Sequence, residues 1–261
     1  MIQVFREHNP NPDNKANTPA AEFIFKVDDE SRVIDDSRAK LFHTFVTKSL
    51  FVTKRSRPDI HTAVAFLTTC VQGTNKDNWK KMLILMQYLR DTTEMPLTLC
   101  ADDTNIFEWW VNRSYAVHPD MLSKTGGTMS LGKGAIISTP IKQKMNTKSL
   151  TEIYLIVADD LMPHILLTNY FLNWQGYNAK DTILYQYNKR AIFLEKNGKK
   201  SSSKRKKYIA IRYYFITERV KADELNIEYC PTGDMVADYF TKLLQVKKLY
   251  QIRKEIMNLK D

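Results

Sequence analysis

Cysteine is scarce: Cys70, Cys100 and Cys230 are the three in 261 residues, far apart and without a Cys-x-x-Cys pair. That excludes a disulfide scaffold or a zinc ribbon and fits a reducing compartment. No apolar run reaches transmembrane length, and Met1-Ile2-Gln3-Val4-Phe5 passes at once into polar residues, so neither a membrane span nor a signal peptide is expected. The five histidines (His8, His43, His61, His118 and His164) show no ligand spacing. Gly132-Lys133-Gly134 is too short for a phosphate loop. Acidic residues are the minority, 29 against 39 Lys and Arg, which gives a net charge of +10. That imbalance points to a polyanionic partner, most simply nucleic acid, with a solvated basic surface as the alternative.

What is present is a globular composition, 43% hydrophobic and 26% charged, long enough for one large or two small domains. The cytosol or the nucleus is the expected location.

Residues 6 to 22 carry Asn-Pro and Thr-Pro pairs and read as loop. A short strand is expected over Phe23–Val27. Helices are expected from Asp35-Asp36, from Arg57-Pro58 and from Asn75, the last with Trp79, Met82, Leu83, Met86 and Leu89 at helical spacing. That Met and aromatic stripe reads as core packing. Then the period changes. Glu108 to Val117 alternates as a strand, and Gly126 to Ser138 reads as a hairpin around Gly132-Lys133-Gly134. From Leu150, the residues Ile153, Tyr154, Val157 and Leu161 mark a helix. Pro163 should kink it or start a second one, and Gly176 should cap it. A strand over Thr182–Asn188, a short helix over Ala191–Glu195, a helix from Ile209 to Lys221 and a strand over Leu225–Pro231 follow. The last helix is expected to open at Gly233 and run to Met257.

In order and wording the chain resembles the C-terminal part of copia-type LTR retrotransposon Pol polyproteins, over about residues 18 to 245. The first part of the resemblance rests on Ser56-Arg57-Pro58-Asp59-Ile60, Trp79-Lys80-Lys81 and Tyr88-Leu89-Arg90. The second rests on Val111-Asn112-Arg113-Ser114-Tyr115-Ala116-Val117, Thr125-Gly126-Gly127, Lys142-Gln143-Lys144, Ser149-Leu150-Thr151-Glu152-Ile153-Tyr154 and Ala237-Asp238-Tyr239-Phe240-Thr241-Lys242. The resemblance implies a helical thumb and connection region of a reverse transcriptase at residues 1–105. It implies a ribonuclease H-like domain at 106–261. The expected class is α/β, with a mixed five-stranded sheet flanked by helices: three antiparallel strands, then two parallel ones reached through helices. The polymerase motif Tyr-x-Asp-Asp does not occur, so the chain is expected to begin after the palm.

Ribonuclease H chemistry places two divalent metals on carboxylates to drive water onto a phosphate. Carried over position by position, the family's acids fall on Asn112, Tyr154, Tyr187 and Asp238, and only Asp238 is an acid. A phenol ionises near pH 10 and is much larger than a carboxylate, so the tyrosines are poor substitutes. Glu152 lies about 200° around the helix from Tyr154. The expected function is a retrotransposon-derived, catalytically silent module that at most binds an RNA–DNA hybrid or other duplex. No cofactor is expected, and Mg2+ or Mn2+ only if activity survives. The alternatives are an active hybrid ribonuclease with a rearranged metal site and a non-enzymatic interaction protein. Lys196 to Lys207 holds seven cations and no anion in twelve residues. Lys199, Lys200, Lys204, Arg205, Lys206 and Lys207, with Arg212, are the candidate phosphate contacts.

Overall fold

The computed structural model describes residues 1–8, 13–20, 24–28, 30–114, 124–142, 150–198, 207–242, 244 and 246–260, without the side chains of 142, 207–211 and 213. The chain forms two compact units. One comprises Met1–Thr98 with Leu243–Asp261, the other Leu99–Val117 with Met121–Lys242.

The first unit is helical. It contains α1 (Ile2–His8), α2 (Asp36–Thr53), a 3-10 turn at Pro58–Ile60 that leads into α3 (His61–Thr69), and α4 (Lys76–Asp91). Helix starts fall where the local chemistry puts them. The Asp35 carboxylate accepts from the Arg38 amide at 2.9 Å and Asn75 accepts from the Asn78 amide at 2.9 Å, each satisfying a free N–H of the first turn. Phe42 and Phe45 of α2, Val64 and Leu67 of α3, and Met82 and Met86 of α4 close the core. The Met-rich stripe of α4 is therefore packing, as its spacing implies. The strand expected at Phe23–Val27 is not formed over its described part, where Ile24 and Phe25 lie in a turn.

The second unit carries the sheet. Its strands are β1 (Cys100–Ala101), β2 (Ile106–Ser114), β3 (Lys124–Ser130), β4 (Gly132–Lys133) and β5 (Ile137–Lys142), followed by α5 (Leu150–Trp174), β6 (Asp181–Gln186), α6 (Lys189–Asn197), α7 (Lys207–Lys221) and β7 (Asn226–Tyr229). The main sheet has the order β5-β3-β2-β6-β7. β2, β3 and β5 pair antiparallel, and β6 and β7 run parallel to β2. β1 and β4 pair separately. This is a ribonuclease H-like fold, and the expected sheet is the one found. Phe107, Trp109 and Val111 alternate into the core shared with Ile153, Val157 and Leu161 of α5.

One expectation is narrowed and another corrected. Pro163 does not start a second helix: α5 runs from Leu150 to Trp174 with Pro163 inside it. Pro163 itself is exposed, and its missing N–H costs the helix one backbone hydrogen bond. The last segment is not one helix. Short 3-10 turns cover Thr232–Asp234 and Val236–Phe240, and a separate helix, α8 (Val246–Met257), follows. Ala237, Asp238, Tyr239 and Phe240 are all buried. The turn lies on the sheet at Gly126, whose missing side chain leaves room for Phe240 and Thr241. α8 packs in the first unit, where Met257 accepts from the Thr98 amide at 3.0 Å.

A pair of glycines lets both layers reach the sheet. Gly126 pairs with Asn112 across β2 and β3. A Cβ there would fall on the Thr241 methyl and within 3.0 Å of Phe240 Cβ. At Gly127 a Cβ would lie 2.6 Å from Leu161 Cδ1 of α5. Neighbouring residues on a strand face opposite sides. One glycine therefore admits the turn that carries Asp238, and the other admits α5.

Candidate functional site

The four positions picked out in the sequence converge. Asn112 sits near the end of β2, Tyr154 in the second turn of α5, Tyr187 just past β6, and Asp238 in the Val236–Phe240 turn. Asn112, Tyr154 and Asp238 are buried, while Tyr187 is 43% exposed and forms the rim.

Three of them are joined by a chain of hydrogen bonds. The Tyr154 hydroxyl donates to Asn112 Oδ1 at 3.1 Å. Asn112 Nδ2 donates to Asp238 Oδ1. Lys242 Nζ donates to the same Oδ1 at 2.8 Å, an ion pair whose lysine side chain is 42% exposed. The Tyr187 ring meets that of Tyr154 edge to face, with centroids 5.6 Å apart. Arg113 stands over the Tyr154 ring, its Cζ 5.3 Å from the centroid. Burial pushes the Tyr154 phenol up to about 12, so it stays protonated and acts as a donor.

The residues do not fit a hydrolytic metal pair. Two divalent cations need several anionic oxygens. Of the four positions only Asp238 is a carboxylate, and its Oδ1 already accepts from Asn112 and Lys242. The other acids nearby are engaged elsewhere: Asp159 pairs with Arg212 Nε at 3.4 Å, and Asp160 accepts from Thr125 Oγ1 at 3.3 Å. Among the described residues, no group of three or more His, Cys, Asp or Glu side chains comes together as a metal site.

Lys242 and Arg113 were not singled out in the sequence. The signal for Lys242 was its i,i+4 spacing from Asp238, which sets the two on one side of a turn. Of the basic candidates, Lys199, Lys200, Lys204, Arg205 and Lys206 lie outside the described residues, as does the side chain of Lys207, which opens α7. Arg212 is on α7, in the ion pair with Asp159.

The comparisons agree with the motifs. The chain is 28% identical over 205 residues to the Pol polyprotein of transposon TNT 1-94 from Nicotiana tabacum, covering 78% of this chain and 15% of that one. It is 27% identical over 191 residues to the Pol polyproteins of transposons RE2 and RE1 from Arabidopsis thaliana, covering 72% of this chain and 13% of each relative. The similarity to copia-type retrotransposon Pol polyproteins read from the motifs is therefore borne out. The chain spans about one seventh of the length of these relatives. No family model and no solved structure matches it. No helix among the described residues is long and apolar enough to cross a membrane.

Proposed function

We propose that this retroelement-derived module is a catalytically silent ribonuclease H-like frame that binds nucleic acid through its backbone phosphates. The observation that carries the reading is the closed chain from Tyr154 through Asn112 and Asp238 to Lys242. Where the resemblance implies a nest of carboxylates, the side chains satisfy one another with a phenol, an amide, one acid and an ammonium. Such a set is electrically balanced without a metal. An ammonium beside a single carboxylate activates no water for attack on a phosphodiester. What remains is a frame with a net charge of +10 and a basic segment at Lys196–Lys207, suited to sequence-blind contact with phosphates. Mg2+ and Mn2+ have no role in this reading.

The test is cleavage of a labelled RNA–DNA hybrid, with Mg2+ and then with Mn2+. No turnover is expected. Turnover that disappears in Asp238→Asn would establish the rival reading, an active ribonuclease with a rearranged site. Binding to the same hybrid is measured as salt is varied. Each phosphate contact adds about 0.9 to the slope of log affinity against log salt. Replacing Lys204, Arg205, Lys206 and Lys207 by Gln should lower that slope by up to about three units, allowing for one residue out of contact. An unchanged slope would retire the segment as a phosphate contact.

A further inference from the structure

The second half of α5 is uncharged and carries apolar residues on two sides, with His164, Thr168, Asn169 and Asn173 as its polar positions. Its inner side, with Leu161, Met162 and Ile165, is buried in the core of its unit. Its outer side carries Leu167, Tyr170, Phe171 and Trp174, which are 69%, 53%, 58% and 85% exposed. These fall at i, i+3, i+4 and i+7, a single stripe two turns long. Tyr177, 69% exposed, follows directly after Gly176, whose φ of +90° ends the helix. From Leu161 to Ala179 the sequence holds no Asp, Glu, Lys or Arg, in a chain that is 26% charged. An apolar face of a helix is ordinarily buried.

We infer that this stripe is the interface of a homodimer, covered in solution by the same stripe of a second copy. The area fits. At about 200 Å² for a fully accessible large side chain, the five residues expose roughly 700 Å². That exceeds the largest apolar patch of an ordinary monomer, roughly 300–600 Å². It comes close to the ~800 Å² that each partner contributes to a standard interface. The composition also fits, since tyrosine, tryptophan and phenylalanine without charge is the make-up of an interface centre. Two-fold symmetry makes a helical stripe complementary to itself. With two copies of α5 antiparallel, Leu167 of one lies against Trp174 of the other, and Tyr170 and Phe171 meet near the axis. The charge beside the stripe is balanced: Glu224 accepts from the Tyr170 hydroxyl at 3.3 Å and pairs with Arg219 at 3.1 Å. Single-stranded nucleic acid also stacks on aromatic rings, but such platforms come with cations that track the phosphates, and this segment carries none.

Sedimentation velocity of the full chain, nuclease-treated, tests the inference over a micromolar concentration series. A monomer–dimer equilibrium is expected. Added salt should favour the dimer, because it screens the repulsion between two copies of net charge +10. Trp174→Glu combined with Phe171→Glu should weaken association by at least ~30-fold and leave the melting temperature of the monomer unchanged. In a Trp110→Phe background, Trp174 emission should shift to the blue with concentration, since Trp79 and Trp109 are already buried. A chain that stays monomeric throughout overturns the inference. So does a dimer that survives both substitutions, or one that dissolves with nuclease. Quenching of Trp174 by single-stranded RNA in a monomeric chain would assign the stripe to nucleic acid instead.

Discussion

Each unit of the molecule holds one buried polar cluster with a tyrosine in it, and the two clusters solve the problem of burial differently. In the first unit the Arg57 guanidinium grips Asp59 with two parallel bonds, Nε to Oδ1 and Nη2 to Oδ2, both 2.8 Å. The Tyr88 hydroxyl adds a third at 2.7 Å, and Arg57 also donates to the Thr92 carbonyl at 2.9 Å. Arg253 of α8 donates to the Tyr88 hydroxyl at 3.0 Å. Burial, together with the Asp59 charge, holds the Tyr88 phenol well above its ordinary range. In the second unit Tyr154 also donates, but to the neutral amide of Asn112, and the single acid Asp238 shares one oxygen between that amide and a part-exposed lysine. The first cluster keeps a full charge pair because both carboxylate oxygens of Asp59 accept from the Arg57 guanidinium and Tyr88 adds a further donor. The second occupies positions where the resemblance implies acids, and it has replaced charge with neutral groups that bond to one another. Both carboxylates keep a cation: Asp59 holds a buried guanidinium through both oxygens, while Asp238 holds a part-exposed ammonium through one oxygen that it shares with a neutral amide.

The comparison is broken most severely from the first side. Asp59→Asn leaves Arg57 buried without its counter-charge and should cost about 3–5 kcal/mol of stability, read by urea unfolding. The paired change of Arg57 and Asp59 to apolar residues should recover most of that loss. A small effect of Asp59→Asn alone would mean that the guanidinium reaches water.

The second unit also buries one acid fully, which sharpens the contrast. Glu195 on α6 accepts from Gln186 Nε2, and burial raises its carboxyl to about 8. Its folded pKa lies above its unfolded value, so its contribution is fully present below pH ~4.3 and is lost as pH rises through 8. Wild-type stability should therefore fall relative to Glu195→Gln by up to ~1.4 kcal/mol per pH unit in that window. Parallel curves for the two proteins between pH 5 and 8 would show that Glu195 is charged and paired, as Asp59 is.

Gly126→Ala probes the geometry that brings Asp238 to Asn112. The added methyl falls on Thr241 and should cost about 1–3 kcal/mol, with the Val236–Phe240 turn displaced in amide-exchange or NMR shift maps. The smallest effect is expected from Tyr154→Phe. It removes one neutral hydrogen bond, about 1 kcal/mol, because Asn112 Oδ1 loses a donor while no charge is stranded. A loss as large as that of Asp59→Asn would erase the distinction between the two clusters.

Local pattern carried much of this fold. The caps at Asp35 and Asn75, the alternation of β2 and the 3-4 spacing at the start of α5 place helices and strands within a few residues of where they stand. Those signals are local and so are their causes, namely N–H groups to satisfy and one face to bury. The motif wording also led to Asn112, Tyr154, Tyr187 and Asp238. The C-terminal error falls where a local pattern is silent on packing: the segment after Gly233 lies on the sheet as short 3-10 turns and not as one helix.

The sequence by itself determined most of the helices and strands in order, the basic balance, the absence of three acids from the expected set and, through its resemblance, the mixed sheet. The tertiary structure decided that Asn112 and Asp238, 126 residues apart, bond to each other, that Lys242 supplies the cation, and that Arg57, Asp59 and Tyr88 form one buried unit. It also decided that the apolar stripe from Leu167 to Trp174 faces outward. Periodicity says which residues share a face of a helix. Only the packed chain determines which of two apolar faces finds the core, and which side chains from distant segments meet within hydrogen-bond reach.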